Sequence, residues 1–136
     1  MSNMTSLQRV LTTLGQKEPD RVPLFLLLTM HGARELDMSI QEYFSSGENV
    51  AEGQLLLRAK YGHDCFYPFF YAAIEVEAWG GKVIYSPDGP PNAGAPIIKE
   101  PAEILNLQPP KIEGNAPLAK VLKSIEILKS KGEEVP

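Results

Sequence analysis

A histidine and an arginine stand three residues apart in "TMHGARELD", just after a long apolar run: His31 and Arg34. Arg presents a fixed fork of donors that matches carboxylate or phosphate, and a histidine nearby adds a second donor. Contact with an anionic ligand is the functional reading; a loop pair satisfied by backbone or water is the plain one. A second cluster, Tyr67, Phe69, Phe70 and Tyr71 in "FYPFFY", could wall a pocket for a flat ring. Core packing is the competing role and the expected one for Phe69, whereas Tyr71 and Tyr67 are pocket candidates. Glu75 and Glu77 resemble an acid–base pair, but two residues apart on a short helix they face different ways. Capping and surface charge are their expected roles. His63 and Cys65 alternate along one segment and could reach a single ion together. Two ligands are too few for zinc, so no metal site is expected. A cysteine in such a run behaves as a small hydrophobe.

The elements that would position these residues follow from periodicity. A first helix is capped by Thr5 or Ser6, presents Leu7, Val10, Leu11 and Leu14 on one face, and stops at Gly15. "VPLFLLLT" is a continuous apolar run without alternation, which reads as a strand buried on both faces. "HGARELDMS" reads as a loop, "IQEYF" as a short helix after Ser39, and residues 49–61 as a longer helix with Val50, Leu55, Leu57 and Tyr61 toward a core. "HDCFYPFFY" is the second strand candidate. Strand, helix, strand with short links implies a parallel sheet with helices outside it. Residues 24–29 and 65–69 are thus expected to pair in parallel across the 49–61 helix.

The middle of the chain breaks that rhythm. "GKVIYS" and "APIIK" flank "PDGPPNAG", which predicts a hairpin with a long turn. "PAEILNL" reads as a short helix opened by Pro101, and residues 115–132 as an amphipathic helix capped by Asn115, with Leu118, Val121, Leu122, Ile125 and Leu128 as its stripe. It stops at Gly132, and "EEVP" follows like the entry to another strand. Two parallel strands make no independent buried sheet, so the pattern reads as the first part of a larger α/β domain. The alternative is a small α+β domain whose hairpin completes the sheet.

With 136 residues, 43% apolar and 22% charged, the chain suits one globular core. A net charge of −4 argues against a nucleic-acid partner, since phosphate binding needs a clustered basic face. The single cysteine excludes a disulfide framework. The longest apolar run, residues 22–30, falls far short of the ~20 residues of a membrane span, and the N-terminus lacks the apolar core of a signal peptide. These features point to a cytoplasmic protein without a membrane partner.

"SLQRVLTTLGQKEPDRVPLF" resembles the opening of the uroporphyrinogen decarboxylase superfamily, in which a leading helix ends near "PDR(V/T)P" and feeds the first barrel strand. "YGHDCFYPFFYAAIEVEAWGGKV" is similar to that family's "G-x-D…EALG" stretch, with Gly62, Asp64, Glu77, Ala78 and Gly80 on matching positions. The resemblance covers nearly the whole chain. It implies an α/β fold, the N-terminal portion of a (β/α)₈ TIM barrel with a β-hairpin excursion, in which residues 1–136 are one incomplete domain and "EEVP" leads into the third strand.

The superfamily holds two chemistries: cofactor-free decarboxylation of uroporphyrinogen in porphyrin biosynthesis, and zinc-dependent methyl transfer from a corrinoid to a thiol such as coenzyme M. Where the decarboxylases read "MRQAGR" after the first strand, this chain reads "MHGARE". His31 and Glu35 stand in place of the arginines, Arg34 is one position off, and Tyr71 falls where the decarboxylase aspartate belongs. A polycarboxylate substrate needs fixed guanidiniums that His does not imitate, so the resemblance implies the methyltransferase branch. Zinc and a corrinoid are then expected for the full-length enzyme, with zinc ligands on later strands, none bound by this chain, and a corrinoid protein or tetrapyrrole as partner. Decarboxylation and a small non-catalytic interaction module are the alternatives. Alone, the chain is expected to be inactive and to self-associate.

Overall fold

The computed structural model describes residues 4–132 and 134–136. Helix α1, Ser6–Leu14, is closed at its start by a capping box: Thr5 Oγ1 accepts the Gln8 N–H (3.2 Å) and the Gln8 side chain accepts the Thr5 N–H (3.1 Å). Its inward face is polar. Ser6 and Arg9 are buried, while Leu11 and Leu14 are exposed. Of the apolar face read from the sequence, Leu7 and Val10 are half-buried, while the surface beneath α1 is largely an ion network.

Residues 22–28 and 64–69 run side by side in the same direction. Leu24 O accepts the Asp64 N–H (2.7 Å), the Phe25 ring stands edge-on to Tyr67 at 5.4 Å, and Leu28 O and the Tyr67 N–H meet on opposite ends of one amide, Gln54. Neither segment forms a strand, which corrects the parallel ladder expected from sequence. Pro23 and Pro68 have no N–H to donate, and the Gln54 side chain occupies the place of a ladder bond. Burial on both faces is also corrected, since Leu24, Phe25 and Leu27 are 42–63% exposed. A third piece joins the row where Phe66 N–H donates to Pro136 O (2.8 Å).

The connection between the first two segments holds three helices: α2, His31–Glu35, where a loop was expected; α3, Ile40–Tyr43, capped by Ser39; and α4, Gly47–Tyr61, capped by Ser46. Helix α4 stops at Gly62 with φ +63, a left-handed conformation that glycine adopts without cost. Its buried stripe is Gly47, Val50, Ala51, Gln54 and Leu57, while Tyr61 is exposed. Helix α5, Ile74–Ala78, precedes a hairpin of β1, Val83–Ser86, and β2, Gly89–Ala93, paired antiparallel. The second strand is thus "GPPNA", which was expected as turn, and "APIIK" is not a strand. The true turn is only residues 87–88. The hairpin pairs with nothing else among the described residues, so it does not complete a sheet with the extended segments. A 3₁₀ helix, Pro101–Asn106, lies exposed, and α6, Ala116–Lys131, capped by Asn115, packs on α4. Of the expected α6 stripe, Leu128 is buried while Leu122 and Ile125 are half exposed. The core between these parts is built from Ala33, Tyr43, Phe44, Val50, Phe70, Tyr71 and Ala73.

Candidate functional site

Helix α2 begins directly after the first extended segment and brings His31 and Arg34 to the rim of an open cleft of about 500 Å³. Met30, Ala33, Met38, Ile40 and Pro87 form its apolar lining, and Asp37 and Asp88 join His31 and Arg34 around it. The helix stops with two bonds, Met38 N–H to Ala33 O (2.9 Å) and Asp37 N–H to Arg34 O (3.3 Å), which place Asp37 in the left-handed region at φ +54. Glycine is the usual residue there. Glu35 is engaged elsewhere, in an ion pair with Lys60 (2.7 Å). By contrast, His31, Arg34, Asp37 and Asp88 enter none of the ion pairs found among the described residues.

The four candidate residues from sequence do not converge. His31 and Arg34 share the cleft. Tyr67 is half-buried beside Phe25 and stacks on Phe69 at 5.6 Å. Phe69 itself is 41% exposed, against its expected core role; Phe70 takes that role instead. Tyr71 is 1% exposed and does not line the cleft. Its hydroxyl donates to Glu77 Oε2 in a short hydrogen bond and accepts from Lys120 Nζ (3.0 Å) and from the Tyr85 hydroxyl (3.4 Å). Burial, together with Glu77 and Tyr85, pushes the Tyr71 phenol far above its ordinary range, so it remains protonated. The Lys120 ammonium also stands 5.4 Å from the Tyr71 ring centre, a distance suited to cation–π attraction. Glu77 is therefore part of a polar cluster, while Glu75 is exposed as expected for a surface charge. Sequence reasoning missed Lys120, which looks like one more polar residue of an amphipathic helix, and Asp88, which lies in a turn.

His63 is buried, and its Nδ1 has no hydrogen-bond partner among the described residues. Burial, then the charge of Arg58, lowers its pKa and keeps the imidazole neutral. Burial raises the Cys65 thiol. No group of three or more His, Cys, Asp or Glu side chains among the described residues could hold a metal ion, so zinc does not fit this set. No described helix is long and apolar enough to cross a membrane.

Residues 5–136 match the family described as Uroporphyrinogen decarboxylase (URO-D). The chain belongs to the uroporphyrinogen decarboxylase family. No curated protein matches it. Among solved structures, a methyltransferase from Methanosarcina mazei has the same fold over 98% of this chain, with a TM-score of 0.71 and 21% identity. The chain spans 41% of that structure. Within the uroporphyrinogen decarboxylase family frame, the matching positions do structural work: Gly62 and Gly80 have positive φ, Asp64 is a buried ion-pair centre, and the Ala78 carbonyl accepts from Asn115 Nδ2 (2.9 Å). The match thus agrees with a partial α/β barrel fold bearing a small antiparallel pair.

Proposed function

We propose that this chain is the N-terminal portion of a (β/α)₈ enzyme that transfers a methyl group from a corrinoid to a thiol such as coenzyme M. The observation that carries the reading is the charge pattern after the first extended segment. A decarboxylase acting on a polycarboxylate needs several fixed cations and an acidic partner for the developing pyrrolic charge. Here one of the two arginine positions holds Glu35, an anion already paired with Lys60, and the aspartate position holds Tyr71, buried and protonated. A phenol held neutral supplies no negative charge to an electron-poor ring. The likeness of fold to a methyltransferase supports the same branch.

In this reading His31 and Arg34 bind and orient an anionic group of a substrate at the cleft, and Tyr67 offers an aromatic wall to a flat ring. Zinc would activate the thiol, but its ligands would come from outside this chain, so no step is assigned to it here. The corrinoid, borne by a partner protein, is substrate rather than resident cofactor. A cytoplasmic enzyme follows from the same reading.

The test uses the complete enzyme and the 136-residue chain in parallel. Each is incubated with a methylated corrinoid and coenzyme M, followed by corrinoid absorbance, and separately with uroporphyrinogen, followed by CO₂ release. Demethylation by the complete enzyme only is expected, because such barrels draw catalytic residues from several strand ends. CO₂ release from uroporphyrinogen overturns the methyltransferase reading, and turnover by the 136-residue chain overturns its role as an incomplete portion.

A further inference from the structure

The hairpin of β1 and β2 pairs with no further strand among the described residues, and two strands alone are marginal in water. Side chains must therefore set its position. Val83 packs on the core and Pro91 is buried, but apolar burial is non-directional. Tyr85 adds a directional tie. Its hydroxyl donates to the Tyr71 hydroxyl (3.4 Å), and the two rings meet edge-on at 6.0 Å. The Tyr71 hydroxyl is held on its other sides too, donating to Glu77 on α5 and accepting from Lys120 Nζ on α6 at 3.0 Å. Its hydrogen-bonding capacity is filled. A phenylalanine would occupy the same buried space without a polar atom, and buried hydrogen bonds give little net stability over apolar groups of the same shape. What the hydroxyl adds is direction.

That direction bears on the α2 cleft. Pro87 and Asp88 form the turn directly after β1, and both line the cleft. Tyr85 lines an adjoining hollow of about 330 Å³ that shares Ser39, Ile40 and Pro87 with it. Tyr71 does not reach the cleft itself. We propose that Tyr71 is a positioning residue: acting through Tyr85, and held by Glu77 and Lys120, it fixes the hairpin turn as one wall of the cleft. The role rests on the reading of this cleft as the substrate-contacting face.

In Tyr71→Phe the ring and its packing stay, and Lys120 still faces Glu77 at 3.6 Å, so the variant should fold and melt near the parent temperature. The chain labelled with ¹³C at its methionine methyls reports the cleft by NMR, because Met30 and Met38 line it and Met4 does not. Tyr71→Phe and Tyr85→Phe should move the Met30 and Met38 signals alike and leave Met4 in place. The double variant should move them no further than either single one, since the two residues act as one unit. In the complete enzyme, supplied with a methylated corrinoid, Tyr71→Phe should raise KM for coenzyme M about fivefold while kcat changes by less than about twofold. Unmoved Met30 and Met38 signals, additive shifts in the double variant, or a fall in kcat with KM unchanged would each overturn the proposal. The methyl signals need no turnover, so a parent enzyme that transfers no methyl group would sink the reading of the reaction and not the tie.

Discussion

Asp64 has no exposed surface, yet its carboxylate is fully engaged. Arg9 Nη1 reaches it at 2.6 Å, Arg21 at 2.7 and 2.9 Å, Ser6 Oγ at 3.0 Å and the Leu24 N–H at 2.7 Å. Arg9 is in turn held by Asp20 at 2.6 Å, and Arg58 donates to Ser6 Oγ at 3.0 Å. A buried charge is tolerated only when paired and hydrogen-bonded, and this one ties α1, the first extended segment and the second into one unit. Burial raises the Asp64 pKa, but the Leu24 N–H, Arg21, Ser6 and Arg9 more than offset it and hold the group at about 2, against 3.8 ordinarily. A carboxylate depressed in the folded state stabilises above its unfolded pKa, and that stability is lost as pH falls through the folded value. The contribution of Asp64 should therefore be complete above about pH 4 and fade toward pH 2. Asp64→Asn removes the charge but leaves Arg9 and Arg21 facing an amide, so it should cost about 3 kcal/mol or more at pH 7. Urea unfolding at pH 7 and pH 3 checks both claims; an unchanged midpoint at pH 7 would show that the network contributes nothing net. The family resemblance marked Asp64 as a matching position, but its partners were hidden. Arg9 looks like a surface residue of an amphipathic helix until the fold places a carboxylate beneath it.

At the scale of elements, the legible features were those set by local chemistry. Thr5, Ser39 and Asn115 cap helices, Gly62 stops one, and β1 falls within the expected "GKVIYS", whereas the Ser46 cap, which starts α4 at Gly47 rather than at 49, was not foreseen. What periodicity misjudged was which faces are buried, because α4 packs through its small residues. Gly53 and Gly32 close on the Tyr43 ring, and a Cβ on Gly53 would stand 2.7 Å from that ring. Gly47 likewise lies against the α6 backbone at Lys120 and Ser124. A search for apolar residues chose Leu55 and Tyr61 instead, since a glycine carries no hydrophobic signal even where it sets the distance between helices. Tyr43 is itself fully buried, with its hydroxyl on Val50 O at 3.3 Å, and burial pushes its pKa up to about 12. It has nowhere to move. Gly53→Ala, which would stabilise an isolated helix, should instead destabilise this protein by about 1–3 kcal/mol through overpacking. Circular dichroism melts of Gly53→Ala beside Glu52→Ala, an exposed neighbour on the same helix, distinguish packing from propensity; equal melts for both would refute the close approach.

For the molecule as a whole, exposed hydrophobic residues are spread over several elements, and one row of them follows the two extended segments. Val22, Leu24, Phe25 and Leu27 are 42–83% exposed along the first extended segment, and Phe69 is 41% exposed on the second. The sequence read these residues as buried because a continuous apolar run signals a strand covered on both faces, and the structure leaves them open to water instead. A patch of this kind is an association surface for a protein in water, and the neighbouring backbone, with few ladder bonds of its own, offers free N–H and C=O groups to another chain. The 136-residue chain should therefore self-associate. Sedimentation velocity across a concentration series should show a rising mean mass, and Phe25→Glu with Leu27→Lys should suppress that rise without lowering the melting temperature, since both side chains are at least half exposed. A chain that stays monomeric at every concentration and melts in one cooperative step would show that this face is tolerated in water, and would remove the argument that it awaits a covering layer.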